Sequence, residues 1–137
     1  MMMKAALWIV LGLAACGGHP SQSTTPDPDD SGGHERDIIP PEKMDEVAQN
    51  LKRRGTQVSH CLAIATENGE VKHNTRGRIT FEIRIGTDGH AERVALIKTD
   101  IQATSVIDCA TKLVKDTSFP TLPRPYETSF TYGMEAN

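Results

Sequence analysis

The sequence predicts an α+β fold, a small antiparallel three-stranded sheet with helices packed on one face, in the order α-α-β-β-α-β. Three observations predict it. Ile79, Phe81, Ile83 and Ile85 alternate with Arg78, Thr80, Glu82 and Arg84, the period-two pattern of a strand with one buried and one wet face. Two stretches before that run and one after it carry apolar residues at helical spacing. A second alternating run, Tyr126, Thr128, Phe130 and Tyr132, lies near the end of the chain.

The first helix is expected to start at Pro41, since a first helical turn tolerates proline. Glu42, Asp45 and Glu46 follow it, and Lys52, Arg53 and Arg54 close the segment, so the charges complement the macrodipole. Met44, Val47, Ala48 and Leu51 form one apolar stripe, and Gly55 is the expected stop. The basic triplet therefore reads as a helix terminus rather than a binding patch. Val58, Cys61, Leu62 and Ala65 repeat the spacing, which places a second helix at about Gln57 to Ala65. The strand from Arg78 to Ile85 then meets Thr87-Asp88-Gly89-His90, whose Asp-Gly pair favours a tight hairpin turn. A returning strand is expected over Ala91 to Lys98, carrying Val94, Leu96 and Ile97. Ser105 with Asp108 has the spacing of a capping box, and Val106, Cys109, Ala110, Leu113 and Val114 make the third helix, ended by Phe119-Pro120. Pro120, Pro123 and Pro125 keep the next link irregular, and the alternating run from Tyr126 to Tyr132 is the last strand.

Three segments divide the chain: residues 1–15 as a signal peptide, 16–37 as a disordered tether and 38–137 as the folded domain. Lys4 precedes a short apolar run from Ala5 to Val10, and Leu13-Ala14-Ala15-Cys16 closes it. That is the build of a secretory signal, and its apolar stretch of about a dozen residues is short of the roughly 20 that a spanning helix needs. An ordinary cleavage site wants a small residue where Leu13 stands, and an uncleaved anchor wants a longer core. The run resembles the lipobox of bacterial lipoproteins, which implies a lipidated Cys16 as the first mature residue. Gly17, in place of an aspartate, favours the outer membrane over inner-membrane retention. The resemblance thus implies a cell-envelope protein facing the periplasm, attached to the membrane through lipid on Cys16. The stretch from Gly17 to Asp37 has almost no side chain able to offset the entropy of ordering. Its contour is roughly 70 Å, and its root-mean-square span as a flexible coil is about 25 Å.

A formal net charge of −3 and a pI near 5.9 give no electrostatic case for nucleic acid or an anionic membrane face. Two cysteines follow Cys16, Cys61 and Cys109, each on the apolar stripe of a helix. In a reducing compartment both read as small buried hydrophobes; beyond the inner membrane an even pair reads as a bridge. No catalytic, metal or cofactor site is expected. His60 and Cys61 point about 100° apart on a helix, so the imidazole is poorly placed to activate the thiol. His19, His34, His60, His73 and His90 are scattered without metal-ligand spacing, and Gly17-Gly18 and Gly32-Gly33 are linker glycines rather than a phosphate loop.

Val58-Ser59-His60-Cys61, Gly77-Arg78-Ile79-Thr80-Phe81-Glu82-Ile83, Asp88-Gly89, Cys109, Phe119-Pro120 and Ser129-Phe130 together resemble the AgmX/PglI C-terminal domain. That domain belongs to the wider group of TonB C-terminal-like modules. The resemblance covers about Gln57 to Tyr132, and Leu62 departs from it where an aromatic often follows the cysteine. It implies helices over one side of a small antiparallel sheet and a non-enzymatic protein-interaction role in the cell envelope. The expected partner is an envelope or periplasmic protein, with Arg78, Glu82 and Arg84 on the wet strand face as the candidate contact surface. The rival reading is a lipoprotein that binds a small ligand or a cell-wall polymer. It has few aromatics to work with, because Trp8 leaves with the signal and Tyr126 and Tyr132 belong to the expected core.

Overall fold

The computed structural model describes residues 37–136. The expected signal peptide, the expected lipidation position Cys16 and the expected tether up to Arg36 lie outside the described residues. Six elements follow in the expected order: α1 (Pro41–Arg53), α2 (Gly55–Glu67), β1 (Arg76–Ile85), β2 (Ala91–Thr99), α3 (Thr104–Lys115) and β3 (Tyr126–Glu135). The three strands form one open antiparallel sheet in the order β2-β1-β3.

The period-two signal in β1 translates directly into burial. Ile79, Phe81, Ile83 and Ile85 are fully buried, each worth about 1.5–3 kcal/mol relative to exposure. The helices cover that face. Val58, Leu62 and Ala65 of α2 and Val106, Ala110 and Val114 of α3 join Val47 and Leu51 of α1 in a single core. Tyr132 and Met134 bring β3 into it, and the Tyr132 hydroxyl donates to the Leu51 carbonyl at 2.9 Å. Tyr126 is only half-buried, and so is Cys109, whereas Cys61 is buried. Ala48, expected on the apolar stripe of α1, is exposed.

The helix ends differ from expectation in three places. Gly55 does not stop α1 but opens α2: Arg54 between them keeps right-handed helical angles, and its N–H still reaches the Leu51 carbonyl. The left-handed glycine stop occurs one helix later. Gly69, at φ 73°, donates to Thr66 O, and Glu70 donates to Ala65 O, the bond pair of a Schellman motif. Ser105 and Asp108 form no capping box. The N-cap of α3 is Ala103, with no side-chain cap, and the Ser105 hydroxyl donates instead to Glu70 Oε2. The end of α3 also comes early, at Lys115, so Phe119 lies in the following loop and is buried there.

That loop locks the hairpin. The Gly86 and Gly89 amides donate to His90 O and Gly86 O respectively, closing the turn, and Gly89, at φ 80°, is its one left-handed residue. This is a turn followed by a glycine bulge rather than a two-residue type I′ connection. Phe119 N donates to Gly89 O at 2.9 Å and Leu122 N to Thr87 O at 3.0 Å. A Cβ at Gly89 would run into the Phe119 carbonyl oxygen, so close backbone approach and positive φ both demand glycine there.

Cys61 and Cys109 are bridged, with Cα atoms 5.9 Å apart and a sequence separation of 48. The link ties α2 to α3. On contacts, α2 leans toward β3 and α3 toward β2, so the bridge pins together the two helices that roof opposite halves of the sheet.

Candidate interaction surface

The uncovered face of the sheet carries the residues that alternate with the core. Arg78, Glu82 and Arg84 all lie on it, and each has a partner from a neighbouring segment. Arg84 is held by Glu92 at 3.0 Å and Glu127 at 2.9 Å. These two carboxylates, Glu127 first, raise its pKa above the usual arginine range. Glu82 pairs with Arg93, which also lies 3.9 Å from Glu127. Arg78 reaches Asp100 at 3.6 Å, Arg76 pairs with Glu135, and Thr80 shares a hydrogen bond with Thr131 at 2.9 Å. The face is therefore an ordered lattice of arginines and carboxylates satisfied among themselves. Exposed pairs of this kind contribute about 0–1 kcal/mol each and weaken with salt.

The two edges of the sheet are not equivalent. On β2 the pairing with β1 slips twice, leaving Glu92 and Ile97 without an opposite residue, and Lys98 follows. Bulges and edge lysines blunt a strand against further pairing. Leu96 and Ile97 are 43% and 55% exposed there. In sequence the strand departs from alternation at Glu92-Arg93 and along Val94-Ala95-Leu96-Ile97, the two places where the register slips. On β3 the register with β1 runs unbroken from Arg76 opposite Glu135 to Ile85 opposite Tyr126. Thr128 to Met134 carry no charge. Among the described residues, no backbone or side-chain hydrogen bond reaches the outer main-chain groups of β3. This edge offers ten residues, about 33 Å, of regular unpaired backbone.

A groove of about 700 Å³ runs over the helices beside the bridge, lined by Thr56, Gln57, His60, Ile64 and Leu113 with both cysteines in its wall. His60 is exposed on it, but the Cys61 sulfur is bonded to Cys109, so there is no thiol for the imidazole to activate. His73 and His90 are also exposed, and among the described residues no three His, Cys, Asp or Glu side chains converge as metal ligands. His19 and His34 lie outside the described residues. Among the described residues no helix is long and apolar enough to cross a membrane.

Compared with protein-family models, with curated proteins and with solved structures, the chain matches none of them.

Proposed function

We propose that this chain is a lipid-anchored cell-envelope protein whose folded domain is a non-enzymatic docking module of the TonB C-terminal-like kind. Its partner is a periplasmic or envelope protein that contributes an extended segment along β3. The observation that carries the reading is the contrast between the edges. Free strand edges are normally blunted; β2 has two register slips and a lysine, whereas β3 has an uninterrupted register and an uncharged centre. An edge of that kind accepts a partner strand through main-chain hydrogen bonds, with side chains of alternate residues giving selectivity. The element order and the Cys61–Cys109 bridge are consistent with the module, and the export signal at Leu13 to Cys16 supplies the compartment.

The test is site-specific photo-crosslinking of the full chain in its native envelope. A crosslinker at Ser129 or Thr131, both exposed on β3, is expected to trap one discrete protein, while the same group at Glu42 on α1 traps none. Crosslinks of equal yield from all three positions, or none from β3, refute the docking edge. Mass spectrometry of the mature N-terminus checks the anchor separately: lipid on Cys16 supports it, and an unmodified N-terminus retaining Met1 refutes it.

A further inference from the structure

The triplet Lys52-Arg53-Arg54 closes α1 as its charges suggest, but only Lys52 and Arg53 fall in the last turn. Arg54 sits at the join between α1 and α2 and is half-buried. Its Nε donates to Thr117 Oγ1 at 3.1 Å, Nη1 to Gln57 Oε1 at 2.6 Å and Nη2 to the Asp116 carbonyl at 3.4 Å. All three acceptors are neutral. A guanidinium has five N–H groups, so two remain without a partner among the described residues. Thr117 is itself buried and donates its proton to the Leu113 carbonyl at 2.8 Å. Its oxygen is thereby fixed as an acceptor, and the Arg54 fork is held in place before any ligand arrives.

Arg53 lies beside it, donating to Asn50 Oδ1 at 3.2 Å, and Asn50 Nδ2 donates to the Ser118 carbonyl at 3.1 Å. Arg76, Arg78, Arg84 and Arg93 each have a carboxylate within 4 Å; Arg53 and Arg54 have none among the described residues. Asp116 is the acid nearest in sequence to this site, yet it engages Arg54 only through its backbone carbonyl. The space between these groups is a pocket of about 310 Å³ lined by Asn50, Arg53, Arg54, Gln57, Thr117 and Ser118, without an acidic residue.

We infer that this pocket is an oxyanion site for a phosphate monoester, with Arg53 and Arg54 as its charged ligands. Paired guanidiniums with free N–H groups match the several oxygens and double charge of a phosphate better than a single carboxylate. The volume leaves room for an ester substituent beside the phosphate. A soluble phosphate ester and a lipid headgroup present the same chemistry. The site is lined by the α1–α2 junction and the loop after α3, with no β3 residue in its lining, and stands independently of the docking role.

The experiment is titration of the mature chain carrying Cys16→Ser with inorganic phosphate and with glycerol phosphate at low chloride, followed by calorimetry. A parallel arm measures sedimentation with vesicles of phosphatidic acid, whose headgroup is a phosphate monoester, and of phosphatidylglycerol, an anionic diester control. Saturable binding at millimolar ligand or tighter is expected, with Arg53→Gln and Arg54→Lys each weakening it about tenfold or more and Arg84→Gln leaving it unchanged. Among the described residues the Arg53 side chain hydrogen-bonds only to Asn50, so Arg53→Gln keeps the test valid should changes at Arg54 loosen the junction. Binding of phosphate or its ester alone identifies a soluble ligand, and retention on phosphatidic acid over phosphatidylglycerol identifies a monoester headgroup. Absence of saturable binding in both arms overturns the inference, as does binding unaffected by Arg53→Gln or equally lost in Arg84→Gln.

Discussion

Reducing the Cys61–Cys109 bridge should cost this domain a large share of its stability. The bridge closes a loop of 48 residues, and the chain-entropy relation gives about 4 kcal/mol at 25 °C for a loop of that length. The described domain has about 100 residues, so its unfolding entropy near the midpoint is on the order of 0.2 kcal/mol/K. The quotient is a drop in Tm of about 20 °C. Reduction by a phosphine is a cleaner perturbation than substitution, because both sulfur atoms remain where Cys61 and Cys109 pack and only the covalent link is lost. Melting followed by far-ultraviolet circular dichroism, with and without reductant at neutral pH, measures it. Cys61→Ala/Cys109→Ala should melt lower still, since truncating buried Cys61 adds a cavity cost. A fall in Tm of less than about 5 °C on reduction, equivalent to roughly 1 kcal/mol, refutes the loop-closure reasoning. It would mean that the reduced, unfolded chain already holds the two helices together.

Two further perturbations probe the turn and the buried phenol. Gly69 and Gly89 share a left-handed backbone, but a Cβ at Gly69 meets open space while one at Gly89 meets the Phe119 carbonyl. Gly69→Ala should therefore lose about 1 kcal/mol and Gly89→Ala clearly more, as separated urea midpoints; equal losses refute the close-approach argument. Burial pushes the Tyr132 hydroxyl up to about 12 from 10.0, against a smaller opposing pull from the Arg54 charge. A raised folded-state value leaves stability untouched below pH 10 and erodes it as pH rises toward 12, by about 1.4 kcal/mol per unit. Tyr132→Phe should lose about 1 kcal/mol at neutral pH, the net worth of the bond to Leu51. It should also abolish that share of the alkaline slope, and a slope unchanged in the variant refutes the assignment.

The strands and the core were legible because side-chain parity in a strand is fixed by geometry. Once Ile79 to Ile85 are seen to alternate, Arg78, Glu82 and Arg84 must share the opposite face. What those arginines and acids touch was not legible, since Glu92, Asp100 and Glu127 reach them through pairing register and strand order. The order β2-β1-β3 is not sequential, so which strands become edges cannot be read from the run of elements. Local capping rules failed where a distant group competed. Ser105 found Glu70, 35 residues away, and the Gly55 stop was overridden by an Arg54 that continues the helical path while tied to Asp116 and Thr117 just after α3. The same tie explains why a triplet explained by the macrodipole also builds a pocket: two of its members follow the helix rule, and the third answers to tertiary contacts.

Under the proposed reading, the polar face and the β3 edge divide the work of recognition. The arginine–carboxylate lattice is already satisfied, so a partner that used it would have to break exposed pairs worth little and replace them with others worth as little. It can set register and exclude mismatched charge near Glu127 and Glu135, but it supplies small affinity. Main-chain bonds along β3 net about 0.5–1.5 kcal/mol each, and a strand of a few residues gains too little to offset the cost of association in free solution. On the same reading, a tether of the expected span, about 25 Å, would change that balance by confining the domain to a thin layer above the membrane. Flexible linkers of this reach hold effective concentrations in the millimolar range, enough for a weak edge contact with an envelope partner in the same layer to be populated. On that reading the proposed anchor at Cys16 and the unblunted edge of β3 act as one device, and neither suffices alone.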